Sequence, residues 1–390
     1  MARKRLDRIT AAGLAVYAVS LVIPAFVNYR PSRILSGELM SGWEAAGPAF
    51  ALAILLLLVL AALIVRDGSD QLAGATALFA DLAAVAVLLI AGYAAGRLIG
   101  PEAPYARVSL SSAFWLALFG CYLMLVGSLR RYRGSRFGRA VLAALVPASV
   151  ALMLSSGWLD ELAIMREFFN RRDTFVGELG AHVSLSFGAV AAGAVVGLAV
   201  AYVIFRHARS ERYLFFFINL FQTVPTLSFL GLLMAPLAYL AARYGILRQF
   251  GVAGIGWTPA FIVLFAYTLL PVTSNALAGF RVVDPMVLEA ALGMGMTKRQ
   301  VFWRVQFPLA LPVVVSGIRT ALTQAIGNTI LAGLIGGGGM GSIIFLGLAQ
   351  SAPDLVLLGT IPVVLLALVA DYAMRGLSYV LSEGVSGGAT

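Results

Sequence analysis

The stretch DPMVLEAALGMGMTKRQVFWRVQFPLALP, residues 284–312, predicts two short helices that meet at a tight turn. Asp284 can cap the first helix, and Pro285 suits the first helical position because its missing N–H would be unpaired there anyway. Gly293 and Gly295 are expected to end that helix. The segment is too polar to lie in lipid and too regular to be a flexible loop.

The second helix is predicted to begin at Thr297, because Gln300 three residues later completes a capping box. One apolar face follows from the spacing of Val301, Phe302 and Val305. Pro308 and Pro312 are expected to end this helix. Helix chemistry alone leaves open whether the segment is an ordinary amphipathic connector between membrane spans or an element with its own function.

The composition identifies a polytopic, all-α membrane protein. Of 390 residues, 61% are hydrophobic and 12% are charged, against roughly 25% charged in soluble domains. The net charge of +10 could indicate nucleic acid, but the basic residues form short clusters between apolar runs, which is typical of membrane topology. No nucleic-acid partner is therefore expected, and the single cysteine, Cys121, excludes disulfides.

Since a helix needs about 20 apolar residues to cross a bilayer, the hydropathy pattern predicts ten spans. They lie near residues 9–27, 46–65, 72–95, 108–128, 140–157, 181–205, 213–240, 257–280, 311–335 and 355–380. The basic N-terminus resembles a secretory signal, but the first span lacks a convincing cleavage site and is expected to be retained.

The distribution of basic residues predicts that both termini are cytoplasmic. With that orientation, 18 of the 28 lysine and arginine residues fall in cytoplasmic segments and nine fall outside. This bias agrees with the positive-inside rule and places residues 284–312 in the cytoplasm. The N-terminal cluster Arg3, Lys4 and Arg5, together with Arg33 on the outer side, contributes to the count.

Charged residues between 158 and 180 mark the boundary of two predicted domains. Residues 1–172 would form an extension of about five spans, and residues 173–390 a second membrane domain of five spans. The charged interval itself is expected to form a surface helix. Asp81 lies within a span of the first domain, and pairing with a neighbouring helix is preferred over a role in a transport pathway.

The second domain carries three polar clusters at membrane depth, which are satisfied in lipid only by neighbouring helices or a water-filled cavity. A shared polar path or gate is predicted, with interhelical hydrogen bonding as the alternative. The candidate residues are Gln222, Thr223, Pro225, Thr226, Asn275, Gln324, Asn328 and Thr329. Arg319 and Asp371, at similar depths in two spans, are predicted to form an ion pair.

The sequence contains no combination of residues that favours an enzyme. A phosphate-binding GxxxxGK[ST] loop is absent, and residues 333–341 resemble one only in glycine content, so they are expected to form a tight re-entrant turn. With two histidines and one cysteine, no metal cluster is predicted. Transport is therefore favoured over catalysis, without catalytic residues or a bound cofactor.

The 284–312 stretch resembles the EAA loop of binding-protein-dependent ABC importer permeases. Glu289-Ala290-Ala291 is followed after three residues by Gly295, and after nine more by Val305-Gln306-Phe307-Pro308. The family pattern has isoleucine and leucine where this chain has Val305 and Phe307, and all spacings agree. Segments within residues 180–382, such as FQTVPTLSFLGLL and GLIGGGGMGSIIFLGL, resemble the permeases for glycine betaine, choline and carnitine, in an extended form.

This resemblance implies a type-1 importer permease core of five helices whose loop docks on a separate ATPase. The implied coupling residues are Glu289, Ala290, Ala291, Gly293, Gly295, Val305, Phe307 and Pro308. The implied partners are two ATP-binding subunits holding ATP and Mg, an extracytoplasmic solute-binding protein, a second identical or related permease subunit, and lipid of the bacterial inner membrane. Two alternatives stay open: a permease for methionine, sulfonate or another solute, and an ion-coupled carrier or membrane scaffold.

Overall fold

A computed structural model describes residues 7–32, 35–66, 72–100 and 105–386, with the side chains of 383–386 left out. Arg3, Lys4, Arg5, Arg33 and both chain ends, which the topology prediction uses, lie outside the described residues. The chain divides into two compact units, Met1–Asn170 and Arg171–Thr390. Each unit is described by itself.

The first unit contains helices and a small sheet. Its elements are α1 (Arg8–Val22), β1 (Val27–Arg30), β2 (Glu38–Met40), α2 (Gly42–Ala46), a 3₁₀ turn (Gly47–Phe50), α3 (Ala51–Arg66), α4 (Ala73–Leu98), β3 (Arg107–Leu110), α5 (Ser112–Arg131), α6 (Arg136–Ser155) and α7 (Ala163–Asn170).

The second unit is helical throughout its described residues. Its elements are α8 (Arg172–Arg206), a 3₁₀ turn (Ala208–Ser210), α9 (Glu211–Thr223), α10 (Thr226–Arg243), α11 (Gly245–Gln249), α12 (Trp257–Val282), α13 (Pro285–Gly293), α14 (Lys298–Val301), a π-helical segment (Phe302–Gln306), α15 (Phe307–Asn328), a 3₁₀ helix (Thr329–Ile335), α16 (Gly341–Ala349) and α17 (Pro353–Ser386).

Within the described ranges, nine helices are long and apolar enough to cross a membrane, and α1 is a shorter apolar helix of 15 residues. The first predicted span, 9–27, therefore ends early as a helix. Pro24 follows Ile23, and a residue before proline is driven out of the helical region, as the extended backbone of Ile23 shows. The prediction of an all-α membrane fold is confirmed.

Two predicted span boundaries in the second unit are wrong. The span predicted at 213–240 is broken between α9 and α10, because Val224 precedes Pro225 and adopts an extended backbone. The span predicted at 311–335 belongs to a helical run that begins at Lys298. Pro308 and Pro312 do not end the helix that contains them.

The π-helical segment explains why the helix continues through Pro308. The Phe307 N–H donates to the carbonyl of Phe302, five residues earlier, so the turn before Pro308 is wider than an α-helical turn. A wider turn relieves the clash that a proline ring otherwise makes with the preceding carbonyls. Pro308 then occupies the first turn of α15.

A three-stranded antiparallel sheet in the order β2-β1-β3 joins two loops of the first unit, and its presence was not predicted. Arg107 of β3 forms a salt bridge of 3.3 Å with Glu167 of α7, and the Arg166 side chain donates to the Ala106 carbonyl. These contacts connect three loops to one another. The predicted topology, in which successive spans cross the membrane in opposite directions, places all three loops on the same side.

Small residues allow the helices of the first unit to approach closely. A Cβ added to Gly13 of α1 would lie 2.8 Å from the Gly120 carbonyl oxygen of α5. Asp81 of α4 is 1% exposed, and neither carboxylate oxygen has a hydrogen-bond partner. The pairing predicted for Asp81 is therefore wrong for the part of the chain that the structure describes.

In the second unit, α8, α12 and α15 pack together through the same kind of contact. Gly193 of α8 faces Thr268 of α12, where an added Cβ would overlap the Thr268 hydroxyl. Gly317 of α15 faces Asn275 of α12, where an added Cβ would lie 2.6 Å from the Asn275 Cβ. This three-helix core supports both the loop at 284–312 and the polar clusters.

Candidate functional site

The loop at 284–312 consists of two short helices joined at a tight turn. The Asp284 side chain accepts a hydrogen bond from the Met286 N–H, 2.8 Å away, and so begins α13. Gly295 has a φ of +83° and reverses the chain. Thr297 and Gln300 form the reciprocal capping box that begins α14. Local sequence chemistry thus accounts for each boundary of the loop.

The outer face of α13 is exposed and combines a carboxylate with apolar side chains. Glu289 is exposed and makes no hydrogen bond or ion pair with any described residue. Met286 and Met294 are 76% and 74% exposed, respectively. Ala290 is exposed while Ala291 is buried, so the two alanines lie on different sides of the helix. A flexible apolar surface with a free charge is suited to docking.

The second half of the loop is held by an aromatic cluster. Phe302 is 3% exposed, and its ring lies 4.7 Å from Tyr202 of α8 and 5.3 Å from Phe280 of α12, measured between centroids. Trp303 and Phe307 lie 5.1 Å and 6.2 Å from the same ring. Phe307 therefore belongs to the cluster, while Val305 is half-buried beside it.

A buried side-chain hydrogen bond adds a polar link between the loop and α12. The Gln306 Nε2 donates to the Phe280 carbonyl oxygen at 2.7 Å, and Gln306 is buried. Sequence reasoning missed Gln306, since it occupies the variable position between Val305 and Phe307. The sequence did contain a signal for it, because a polar residue directly before Phe307-Pro308 stands among apolar neighbours and would need a hydrogen-bond partner if buried.

A bidentate ion pair joins the end of α12 to the start of α9 and was also missed. Arg281 at the end of α12 donates to both carboxylate oxygens of Glu211 in α9, at 3.0 and 2.6 Å. The hydrogen bonds from Arg281 lower the pKa of Glu211 below its ordinary value. The predicted orientation places this pair on the same side as the 284–312 loop.

We predict that Gly295→Ala lowers the stability of the protein, whereas Gly293→Ala does not. Both positions have open space for a Cβ, but only Gly295 has a positive φ, so the difference isolates backbone strain. The expected cost at Gly295 is about 1 kcal/mol. Thermal unfolding of the purified variants measures it, and equal midpoints for the two variants would contradict the assignment of the turn.

The first polar cluster is joined to α12 by two reciprocal hydrogen bonds. Gln222 at the end of α9 donates to the Tyr267 carbonyl at 2.7 Å, and the Tyr267 hydroxyl donates to the Val224 carbonyl. The second bond gives the Val224 carbonyl a partner where the helix is broken between α9 and α10, at Pro225. Thr223 is exposed and bonds within its own helix.

The other predicted path residues are only partly brought together. Thr226 and Asn328 line one small cavity between α10, α12 and α15. Asn275 donates to the Pro271 carbonyl of its own helix, and buried Thr329 bonds the Ala325 carbonyl. Gln324 is exposed on α15 and has no partner among the described residues.

The glycine-rich stretch after α15 is a tight turn built around a buried histidine. Gly336, Gly338 and Gly339 all have positive φ. His182 of α8 contacts the Ile326 carbonyl through Nε2 at 3.0 Å and accepts from the Met340 N–H through Nδ1 at 3.3 Å. His182 thus ties α8 to the turn.

Arg319 of α15 and Asp371 of α17 form a salt bridge, with a distance of 2.5 Å between Nε and Oδ1. Arg375, one turn further along α17, contacts the other oxygen of Asp371 at 2.8 Å. Sequence reasoning missed Arg375 as a member of this group. The single carboxylate therefore contacts two cations at once, one with each oxygen.

We predict that the Arg319→Gln/Asp371→Asn double variant is destabilised by less than the sum of the two single variants. Each single change breaks the Arg319–Asp371 pair, although Arg319→Gln leaves Asp371 in contact with Arg375, whereas the double change removes both members of the pair. A double-mutant cycle on thermal unfolding midpoints measures the coupling. Purely additive effects would contradict an energetic link between the two residues.

Long apolar helices, polar clusters within them and an exposed, partly apolar loop helix are typical of a membrane transport component. Residues 193–379 match the family described as "Binding-protein-dependent transport system inner membrane component". Residues 7–165 match "ABC transporter permease YehY, N-terminal domain". The chain belongs to the binding-protein-dependent family of ABC importer permeases, multi-pass proteins of the inner membrane that work with a separate ATPase.

Curated relatives align with about half of the chain. The choline transport system permease protein OpuBB of Bacillus subtilis is 35% identical over 193 residues, which cover 50% of this chain and 82% of the relative. The glycine betaine/carnitine/choline transport system permease protein OpuCB of the same organism is 33% identical over 195 residues, covering 50% and 82%. The osmoprotectant import permease protein OsmW of Salmonella typhimurium is 33% identical over 201 residues, covering 52% and 88%.

These matches confirm the family and the importer function predicted from the EAA-like spacing. Residues 193–379, which match the transport family, lie in the second unit, and residues 7–165, which match the separate N-terminal family, lie in the first. An importer of this family requires an ATPase and a solute-binding protein.

Proposed function

We propose that this permease imports glycine betaine, choline, carnitine or a related quaternary-ammonium osmoprotectant. The support is the shared substrate class in the names of relatives that are 33–35% identical to this chain. An extracytoplasmic solute-binding protein delivers the solute and makes most of the selection. Both termini lie in the cytoplasm in this proposal, as the charge distribution indicates.

Coupling to ATP hydrolysis occurs at the loop of residues 284–312. The observation that carries this proposal is an unpartnered carboxylate, Glu289, on the exposed face of α13. Glu289 makes a charged contact in a groove of the ATPase, and the exposed methionines add apolar contact. Two ATPase subunits hold ATP and Mg, and this chain hydrolyses nothing.

Movement of the loop reaches the membrane helices through its second half. Phe302 and Gln306 fix that half to α12, and the aromatic cluster also contacts α8. A displacement of α13 is therefore transmitted to the helices that carry Gln222, Asn275 and Asn328. The helical run that begins at Lys298 changes its geometry at the π-helical segment between α14 and α15.

The translocation path lies along an exposed polar face of α15, against a second permease subunit. Three side chains at helical spacing lie on this face, namely Thr320, Thr323 and Gln324, and all are exposed. Polar side chains at membrane depth require a protein or water neighbour. The second subunit is an identical or related chain.

Uptake of labelled solutes tests this function. In a strain lacking the permease, restoration of glycine betaine uptake by the plasmid-borne gene is expected, with competition by choline and carnitine but not by methionine or taurine. Deletion of the partner ATPase is expected to abolish uptake. Uptake that survives this deletion would contradict the proposal and favour an ion-coupled carrier, and competition by methionine alone would change the substrate.

A further inference from the structure

A cavity of about 300 Å³ opens on the first unit at the ends of its helices. Its lining residues are Pro48, Ala49, Leu52, Leu89, Ile90, Tyr93 and Trp158. They belong to the 3₁₀ turn before α3, the start of α3, the last turns of α4 and the segment after α6, all on the side of the sheet. The ends of membrane-spanning helices lie at the interface between membrane and water. There acyl chains meet headgroups, and aromatic residues are enriched.

The wall of the cavity is fixed in place by Trp158. Its indole Nε1 donates to the Leu89 carbonyl at 3.1 Å. A Cβ on Gly92 would lie 2.5 Å from the Trp158 Cδ1, so the ring lies directly on the α4 backbone. Trp158 therefore cannot turn to fill the space, and the cavity is a preformed feature of the unit.

Arg97 of α4 stands beside the rim of this cavity. Arg97 follows Tyr93 by one turn of α4 and lies nearer the helix end. Its Nη1 would lie 2.9 Å from a Cβ on Gly47, so the guanidinium rests on the backbone next to Pro48. Arg97 is exposed and has no hydrogen-bond or ion-pair partner within the described ranges.

We propose that this cavity binds an anionic phospholipid, with an acyl chain inside it and the phosphate at Arg97. The apolar lining excludes a charged group from the interior, and a guanidinium recognises phosphate through paired N–H groups. Two aromatic rings could attract a quaternary ammonium ion, but the adjacent positive charge of Arg97 opposes that ligand. The first unit thereby acquires a lipid-binding role that does not depend on the transported solute.

Quenching of Trp158 by brominated lipids tests the proposal. The full chain keeps Trp158 and carries phenylalanine at the other four tryptophans, namely Trp43, Trp115, Trp257 and Trp303. It is reconstituted in phosphatidylcholine vesicles that contain either brominated phosphatidylglycerol or brominated phosphatidylcholine at equal mole fraction. Phosphatidylglycerol is expected to quench Trp158 with about fivefold preference.

Two variants control this measurement. Arg97→Gln is expected to remove the preference and leave quenching by phosphatidylcholine unchanged. A chain with Trp115 of α5 as its only tryptophan, exposed but outside the cavity lining, is expected to show no preference. Equal quenching of Trp158 by both lipids, or a preference that survives Arg97→Gln, would overturn the proposal in favour of ordinary annular lipid.

Native mass spectrometry gives an independent reading on the protein with all its tryptophans. The wild type is expected to retain phosphatidylglycerol through detergent purification, and Arg97→Gln is expected to lose it. Equal retention by both proteins would contradict the site. Because neither readout involves uptake, the lipid proposal and the osmoprotectant proposal can fail separately.

Discussion

Glu289→Arg is expected to abolish uptake and to release the ATPase subunit during co-purification. Glu289 is exposed and has no hydrogen-bond or ion-pair partner in the part of the chain that the structure describes, so its replacement is expected to leave α13 and the fold intact. In the complex, reversal of a charge that contacts the ATPase costs about 2 kcal/mol or more. That cost corresponds to about a thirtyfold loss of affinity between permease and ATPase. Both uptake and the amount of co-purified ATPase are measured.

A matched charge reversal controls for general damage. Glu38 of β2 is also exposed, and the Glu38→Arg variant makes the same change in the first unit. Normal uptake and normal ATPase recovery are expected for this control. Wild-type behaviour of Glu289→Arg in both assays would rule out Glu289 as the charged contact, whereas loss of folded protein would be visible in the thermal unfolding midpoint.

Phe302→Ala is expected to stop transport while the ATPase remains bound. The Phe302 ring is buried among five aromatic side chains, and its removal leaves a cavity that costs about 3 kcal/mol. The exposed face of α13 with Glu289 is unchanged, so docking should persist. If uptake is lost while the ATPase still co-purifies, then binding of the ATPase and transmission of the loop movement depend on different residues.

Phe302→Leu is the conservative control, since leucine keeps most of the buried volume. Its uptake is expected to stay close to that of the wild type. Normal transport by the alanine variant would refute the aromatic cluster as the transmitting element. ATPase loss as complete as in Glu289→Arg would instead show that Phe302 maintains the structure of the whole loop.

The loop was predictable from sequence because its boundaries depend on neighbouring residues. Asp284 caps α13, Gly295 supplies the positive φ, and Thr297 with Gln300 caps α14. These interactions extend over two or three residues, so composition and spacing suffice to place them. The same stretch also suggested the family through its EAA-like spacing, and the comparisons confirm that family.

Prolines and polar residues were harder to interpret from sequence. Pro225 breaks a predicted span, whereas Pro308 lies in a continuous helix because the π turn before it gives room. Asp81 is buried without a hydrogen-bond partner among the described residues, although its burial in a span predicted one. Gln306 and Arg375 acquire their importance from partners 26 and four residues away in sequence, respectively.

The sequence alone determined that this is a helical membrane protein with a capped loop of two short helices at residues 284–312, because hydropathy, capping and spacing act locally along the chain. Tertiary structure alone decided how the loop is attached and what the first unit can bind. The Phe302 cluster, the Gln306–Phe280 bond and the cavity beside Trp158 each join elements that are distant in sequence. Such contacts arise only when helices pack, and no single segment encodes them.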